Sequence, residues 1–176
     1  MSGGGPYWGK YRGTVINNID PEQRGRLICM VPDILALVPL TWAEPCTPLA
    51  GPTGPPMGVY LVPPIGAGVW VEFEHGDPDF PIWVGCRWGS TADVPALAKA
   101  GLPVSPSIVL QTAGQNMIVI SDLPGPTGGI MIQSGASIVS ISQAGISLTA
   151  PKVEITAAAI NIVGITDINQ GALKVT

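Results

Sequence analysis

The second half of the chain repeats a short apolar unit. Each unit is a β-branched residue or leucine, one small or polar residue and a second apolar residue, and four copies follow at a constant step of seven residues. Apolar spacing of two is the period of a β-strand, and the small residues and proline between copies are typical of corners. The pattern predicts a stack of short strands rather than a coiled coil, whose flanking charges are missing. The copies are Val139 and Ile141, Ile146 and Leu148, Val153 and Ile155, and Ile160 and Ile162, with looser copies at Ile118 and Ile120, at 130–132 and at 173–175.

The first half is cut by turn residues into five short β-like runs. They span residues 11–17, 26–31, 59–62, 68–74 and 81–85, and the run at 68–74 alternates sharply between apolar and polar residues. Residues 20–25, which include Asp20, Pro21 and Gly25, predict a hairpin turn between the first two runs. Five short strands in about 80 residues suit a small closed barrel of the OB type.

Two apolar side chains per repeat are too few for one chain to enclose a core by itself. A single-chain solenoid coil takes about 20 residues or more, whereas the step here is seven. Three chains, each giving one strand per face in turn, would bury every apolar pair on a shared axis. The predicted fold is all-β, with an N-terminal OB-fold barrel followed by a C-terminal intertwined trimeric (triple-stranded) β-helix. The predicted trimer core consists of Ile118, Ile120, Val139, Ile141, Ile146, Leu148, Val153, Ile155, Ile160 and Ile162.

Composition supports two different architectures in one chain. The 176 residues include 23 glycines and 19 prolines, which excludes a helical bundle. All ten aromatic residues lie between Tyr7 and Trp88, so the second half has none. We therefore predict an N-terminal arm at 1–10, the OB-fold domain at 11–89, a Pro/Ala-rich linker at 90–107 and the trimeric β-helix at 108–176.

Chemistry-bearing residues are sparse. With one histidine and three cysteines that lack C-x-x-C spacing, we predict no catalytic, cofactor-binding or metal site, and we interpret the cysteines as small buried hydrophobes. The densest acidic group, Glu72, Glu74, Asp77 and Asp79, is interpreted as a solvated strand face followed by a turn. The uncharged run at 54–71 contains four prolines, which argues against a membrane span. The start of the chain has no signal-peptide pattern, which predicts synthesis in the cytoplasm.

Several motifs together resemble a known family. They include Asp20-Pro21, Gly25-Arg-Leu27, Val71-Glu-Phe-Glu-His-Gly-Asp-Pro78 and Pro81-Ile-Trp-Val-Gly85. In this order they resemble the OB domain of contractile-injection spikes, which include phage baseplate assembly protein V and the C-terminal part of the type VI secretion spike, VgrG. Residues 110–122 and 129–133 are similar to the start of that family's triple β-helix.

This resemblance implies a structural central spike of a contractile injection machine without enzymatic activity. Such a spike is a homotrimer that seats on a baseplate hub protein, pierces the target cell envelope transiently, and is assembled into the baseplate of a phage tail or phage-tail-like particle. A β-helix ending in this sequence would expose unpaired strand edges, which proteins usually cover. A PAAR-like tip protein is therefore expected to dock on Leu173, Lys174, Val175 and Thr176.

A nucleic-acid-binding OB module is the alternative interpretation. The first half carries Trp42, Trp70, Trp83 and Trp88, which could stack on bases. A net charge of −4 and few cations oppose this, because a phosphate-tracking groove needs clustered positive charge. The spike interpretation involves no nucleic acid and predicts an SDS-resistant or urea-resistant trimer, whereas the alternative predicts a monomer that binds single-stranded DNA.

Overall fold

The computed structural model describes residues 6–51, 54–124 and 128–164. Contacts divide the chain into two units, Met1–Val94 and Pro95–Thr176. Among the described residues, helix is confined to α1 (Pro32–Leu35), α2 (Ala96–Lys99) and the 3-10 turns Glu74–Gly76 and Thr91–Asp93. None of these described helices is long and apolar enough to cross a membrane. The predicted all-β class is confirmed.

Five strands of the first unit close into a barrel, which confirms the predicted OB-like architecture. They are β1 (Tyr11–Asn17), β2 (Leu27–Met30), β3 (Pro39–Pro45), β4 (Gly68–Phe73) and β5 (Pro81–Arg87). Their order around the barrel is β1-β2-β3-β5-β4, and all pairs are antiparallel except the short β3–β5 pair. Alternation along each strand turns one face inward. The core so formed contains Val15, Leu27, Cys29, Val31, Leu40, Ala43, Val69, Val71, Phe73 and Trp83.

The predicted hairpin turn between β1 and β2 is built around the buried carboxylate of Asp20. Its oxygens accept the backbone N–H groups of Glu22, Arg24 and Arg26 at 2.8–3.2 Å. The Arg26 guanidinium donates to the same carboxylate, with Nη2 at 2.7 Å from Oδ1. That hydrogen bond, helped by the backbone donors, holds the pKa of Asp20 well below its usual range despite the opposing effect of burial. The turn is therefore stabilised by an ionised side chain.

The third barrel strand is Pro39–Pro45, and the prediction of a strand at 59–62 was wrong. Residues 59–62 form no strand, and three of the four are exposed. In β3 the inward residues Leu40 and Ala43 are three positions apart, because the register against β2 shifts between Ile28 and Met30. This bulge breaks the apolar period of two, so the sequence of β3 lacks the alternation that predicts a strand.

The cysteines differ from one another in burial. Cys29 is fully buried in the barrel core, and burial raises the pKa of its thiol to about 12. Cys46 and Cys86 are exposed, so the interpretation as buried hydrophobes was wrong for these two. Both occur at or beyond positions where the alternation of their strands is interrupted, Cys46 after the end of β3 and Cys86 after a register shift between β4 and β5.

The second unit contains a five-stranded antiparallel sheet. Its strands are β6 (Ile108–Gln111), β7 (Met117–Ser121), β8 (Gly129–Ser134), β9 (Ser137–Ser142) and β10 (Gly145–Thr149). They pair in chain order, so that each strand is hydrogen-bonded to the one before it. Described residues from 150 to 164 form no strand. The sheet is the structure of one copy, so the intertwining of three chains stays a prediction.

Candidate functional site

Ten aliphatic side chains share one face of the second sheet, named the aliphatic face below. Each strand contributes two of them, separated by one residue, and the strand registers align them in two rows across the sheet. The first row is Ile108, Ile120, Ile130, Ile141 and Ile146, and the second is Leu110, Ile118, Ile132, Val139 and Leu148. Because directly opposed residues of paired strands point to the same side, the rows form one continuous apolar surface.

The aliphatic face lies open to solvent in a single copy. Nine of its ten side chains are exposed, from 40% for Ile130 to 74% for Ile146, and Val139 is half-buried. The five strands contain no charged residue, so no ionised group breaks or solubilises this surface. Large apolar patches of this kind mark interaction surfaces in soluble proteins.

The opposite face of the same sheet is more polar and is partly covered by its own chain. Val119 of β7 is buried there, and Met131 and Ser140 beside it are half-buried. A cavity of about 320 Å³ on this side is also lined by Leu97 and Ala100, so the α2 segment lies over it. The two faces are thus unequal, and the aliphatic face is the one left uncovered.

The structure brings together six of the ten predicted trimer-core residues. These are Ile118, Ile120, Val139, Ile141, Ile146 and Leu148, all on the aliphatic face. Val153, Ile155, Ile160 and Ile162 are 54–66% exposed and lie in the segment without strands. The predicted tip-docking residues, Leu173, Lys174, Val175 and Thr176, lie outside the described residues.

Four residues of the aliphatic face were missed in the predicted trimer core: Ile108, Leu110, Ile130 and Ile132. Both pairs have the same apolar spacing of two as the seven-residue repeats. They fall outside the constant step because successive pairs on the sheet begin at residues 108, 118, 130, 139 and 146, so that only the last of these steps is seven residues. Spacing within the unit was therefore a better signal than the step between units.

The acidic group of the first unit is spread over a strand and the following turn. Glu72 on β4 forms an ion pair with Lys10. Asp77 accepts the backbone N–H of Asp79 at 3.0 Å and so closes the turn after β4. These contacts agree with the interpretation of the group as a strand face and a turn.

Comparison with family models gives two matches. Residues 11–88 match the type VI secretion system/phage-baseplate injector OB domain, and residues 107–174 match the phage baseplate V C-terminal trimerisation domain. The chain belongs to the phage baseplate V family. No curated protein matches it.

Membership of the baseplate V family defines the role of each unit in general terms. The family is one of structural baseplate proteins, so the chain has a structural role in a phage-type baseplate. The five-stranded sheet lies within the match to a trimerisation domain, which supports a homotrimer. The aliphatic face is therefore our candidate for the surface that joins the copies.

Proposed function

We propose that three copies of this chain join through the aliphatic face to form the central spike of a contractile injection machine. The observation that carries the proposal is the aliphatic face, which is open to solvent and contains no charged residue. Burial of apolar surface is the main driving force of association. A threefold arrangement turns all three faces toward one axis and leaves the polar, self-covered faces outward.

Two parts of the spike would be assembled differently. Residues 108–149 already pair within one chain, so three preformed sheets would pack against each other. The apolar pairs Val153 with Ile155 and Ile160 with Ile162 lie in the described segment where one copy forms no strand. Backbone groups that enter a core need hydrogen-bond partners. We infer that these residues pair between chains, as the intertwined β-helix requires.

The mechanical task explains why such a rod would suit the function. Each strand adds about 4.8 Å along the axis, so five strands span roughly 20 Å before the intertwined part begins. The barrel would seat the trimer on a baseplate hub protein, and the rod would transmit axial force into the target envelope. The chain would contribute no catalysis, and a PAAR-like tip protein would dock on Leu173–Thr176.

Oligomeric state tests the proposal most directly. We expect the full-length chain to run as a trimer in light scattering coupled to gel filtration, and to resist SDS without boiling. A folded monomer at micromolar concentration would refute the proposal.

Deletion of residues 171–176 tests the proposed tip. We expect the truncated chain to remain a trimer, because the aliphatic face is intact, but to lose binding to a purified PAAR-like protein in a pull-down assay. Retained binding would show that the tip protein docks elsewhere.

A further inference from the structure

Two arginines of the barrel have no acidic partner in the described part of the chain. Arg12 on β1 lies opposite Trp70 of β4, with its guanidinium carbon 5.9 Å from the centre of the indole ring. Arg87, at the end of β5, lies opposite Gly68 of β4. Every acidic residue of the first unit is described, and none forms an ion pair with either arginine. The other three Lys and Arg residues of this unit each have at least one acidic partner. We name Arg12, Trp70 and Arg87 the cationic patch.

Arg87 is also incompletely hydrogen-bonded. Its Nε is buried and has no partner among the described residues. The side chain packs over Gly68, where an added Cβ would lie only 3.1 Å from the guanidinium carbon. A partly desolvated guanidinium is costly without an anion, and a carboxylate is its best-matched partner. An acceptor approaching from outside the chain would satisfy it.

The turn that joins β4 to β5 carries negative charge. Glu74, Asp77 and Asp79 have no Lys or Arg partner among the described residues, and the contact of Glu74 is with His75 at 3.9 Å. We name these three the acidic turn. Beside it, Phe80 is 60% exposed, and Trp88 beside Arg87 is 64% exposed. Aromatic side chains are enriched at protein interfaces, so an exposed ring next to each charged group favours contact with protein.

The two charged groups are too far apart to meet within one copy. Arg87 pairs with Gly68 at the open end of the β4–β5 hairpin, and the acidic turn closes its other end. At about 3.3 Å per residue, six residues of strand separate them by roughly 20 Å. They also face different neighbours: the cationic patch spans β1, β4 and the end of β5, whereas Glu74 and Asp79 line a 390 Å³ groove with Trp42 of β3.

We infer that the barrels of neighbouring copies in the trimer contact each other through these groups, the cationic patch of one barrel docking on the acidic turn of the next. This inference rests on the trimer proposed above. A cyclic trimer requires two different, complementary patches on each copy. The barrel carries one patch of each sign, and neither has a Lys, Arg, Asp or Glu partner of opposite charge among the residues that the structure describes. Ion pairs between Arg87 and Asp79 would satisfy both and fix the rotation of each barrel about the axis.

Zero-length cross-linking of the full-length chain tests the contact. Arg87→Lys keeps the positive charge and adds a primary amine, which a water-soluble carbodiimide joins to a carboxylate as an amide, with loss of water. Because the two groups are roughly 20 Å apart in one copy, an amide between position 87 and Glu74 or Asp79 forms only between copies. We expect covalent dimers and trimers on denaturing gels, and that linked peptide in mass spectrometry.

A matched control removes the acceptors. Adding Glu74→Gln and Asp79→Asn to Arg87→Lys should abolish this linked peptide while the trimer persists. At 1 M salt, where the Debye length is about 3 Å, the yield should fall several-fold. If Arg87→Lys does not fold, Arg12→Lys provides a second amine within the same patch. Position 12 lies opposite Trp70, only about 13 Å along β4 from Glu74, so its readout is the covalent dimer and trimer bands on denaturing gels, which only links between copies produce.

The outcomes separate this inference from the proposed function. Light scattering of the variant is measured first, and a folded monomer would refute the trimer itself. A trimer without a link from position 12 or 87 to the acidic turn would overturn only the barrel contact. Binding of single-stranded DNA that Arg12→Glu and Arg87→Glu abolish would also overturn it, because the patch would then serve a phosphate backbone.

Discussion

Ile132 provides the sharpest test of the aliphatic face. It lies on β8, the middle strand of the sheet, between Ile118 and Val139 in the second row. The residue is 49% exposed in one copy. Full burial of an isoleucine side chain is worth about 2 kcal/mol, so covering the remaining half contributes about 1 kcal/mol per copy. Ile132→Ala should therefore weaken the trimer by about 3 kcal/mol, roughly a hundredfold in its dissociation constant.

Ile132→Asp is the stronger perturbation. It loses the same hydrophobic contribution and places three carboxylates at one level of the axis, each with a desolvation cost of several kcal/mol. We expect no trimer at micromolar concentration in analytical ultracentrifugation or light scattering. The matched control is Gln133→Asp, which puts the same charge on the next residue of β8 but on the opposite face.

The pair of variants decides whether the aliphatic face is the interface. A heat-stable trimer of Ile132→Asp would show that the face points outward and that the copies are joined elsewhere. Loss of the trimer in both variants to the same extent would show that β8 tolerates no charge on either side, which would also contradict the assignment of the interface to one face.

Two further predictions concern single residues. Arg26 holds the pKa of Asp20 low, so the stabilisation by this carboxylate is present above its ordinary pKa of about 4 and is lost as the pH falls further. Asp20→Asn should therefore lower the melting temperature at pH 7. A difference in melting temperature from the unmodified chain that is just as large at pH 2 would contradict this. Gly129 has φ +98°, and a Cβ there would lie 2.0 Å from the carbonyl oxygen of Ile141, so Gly129→Ala should cost at least about 2 kcal/mol in thermal unfolding. Gly135→Ala, at φ +56° with no atom within 4 Å of the added Cβ, should cost only about 1 kcal/mol, and equal losses would refute the steric argument.

Local alternation was sufficient to predict most of the strands. β1 has the bounds expected from the sequence, β2, β4 and β5 differ by one or two residues at an end, and the Asp20 turn lies where its residues predict it. Alternation is a property of neighbouring residues, so it can be recognised without knowledge of the fold. The sequence pattern did not predict β3, because a register shift against β2 interrupts its alternation. Only the pairing with a distant strand shows that Leu40 and Ala43 both point inward.

The aliphatic face shows the same division. The sequence alone identifies pairs of apolar residues with a spacing of two, and this determines which residues of a strand share a side. The alignment of the pairs into two rows depends on the lengths of the hairpin turns, and the choice of the uncovered side depends on α2 lying over Val119 and Met131. That no described carboxylate of the barrel pairs with Arg87 is likewise a tertiary fact, because it depends on how far each of them lies from the end of β5. The register of the strands, the covering of one sheet face and the pairing of charges are all set by residues far apart in the chain. For that reason only the tertiary structure decided them.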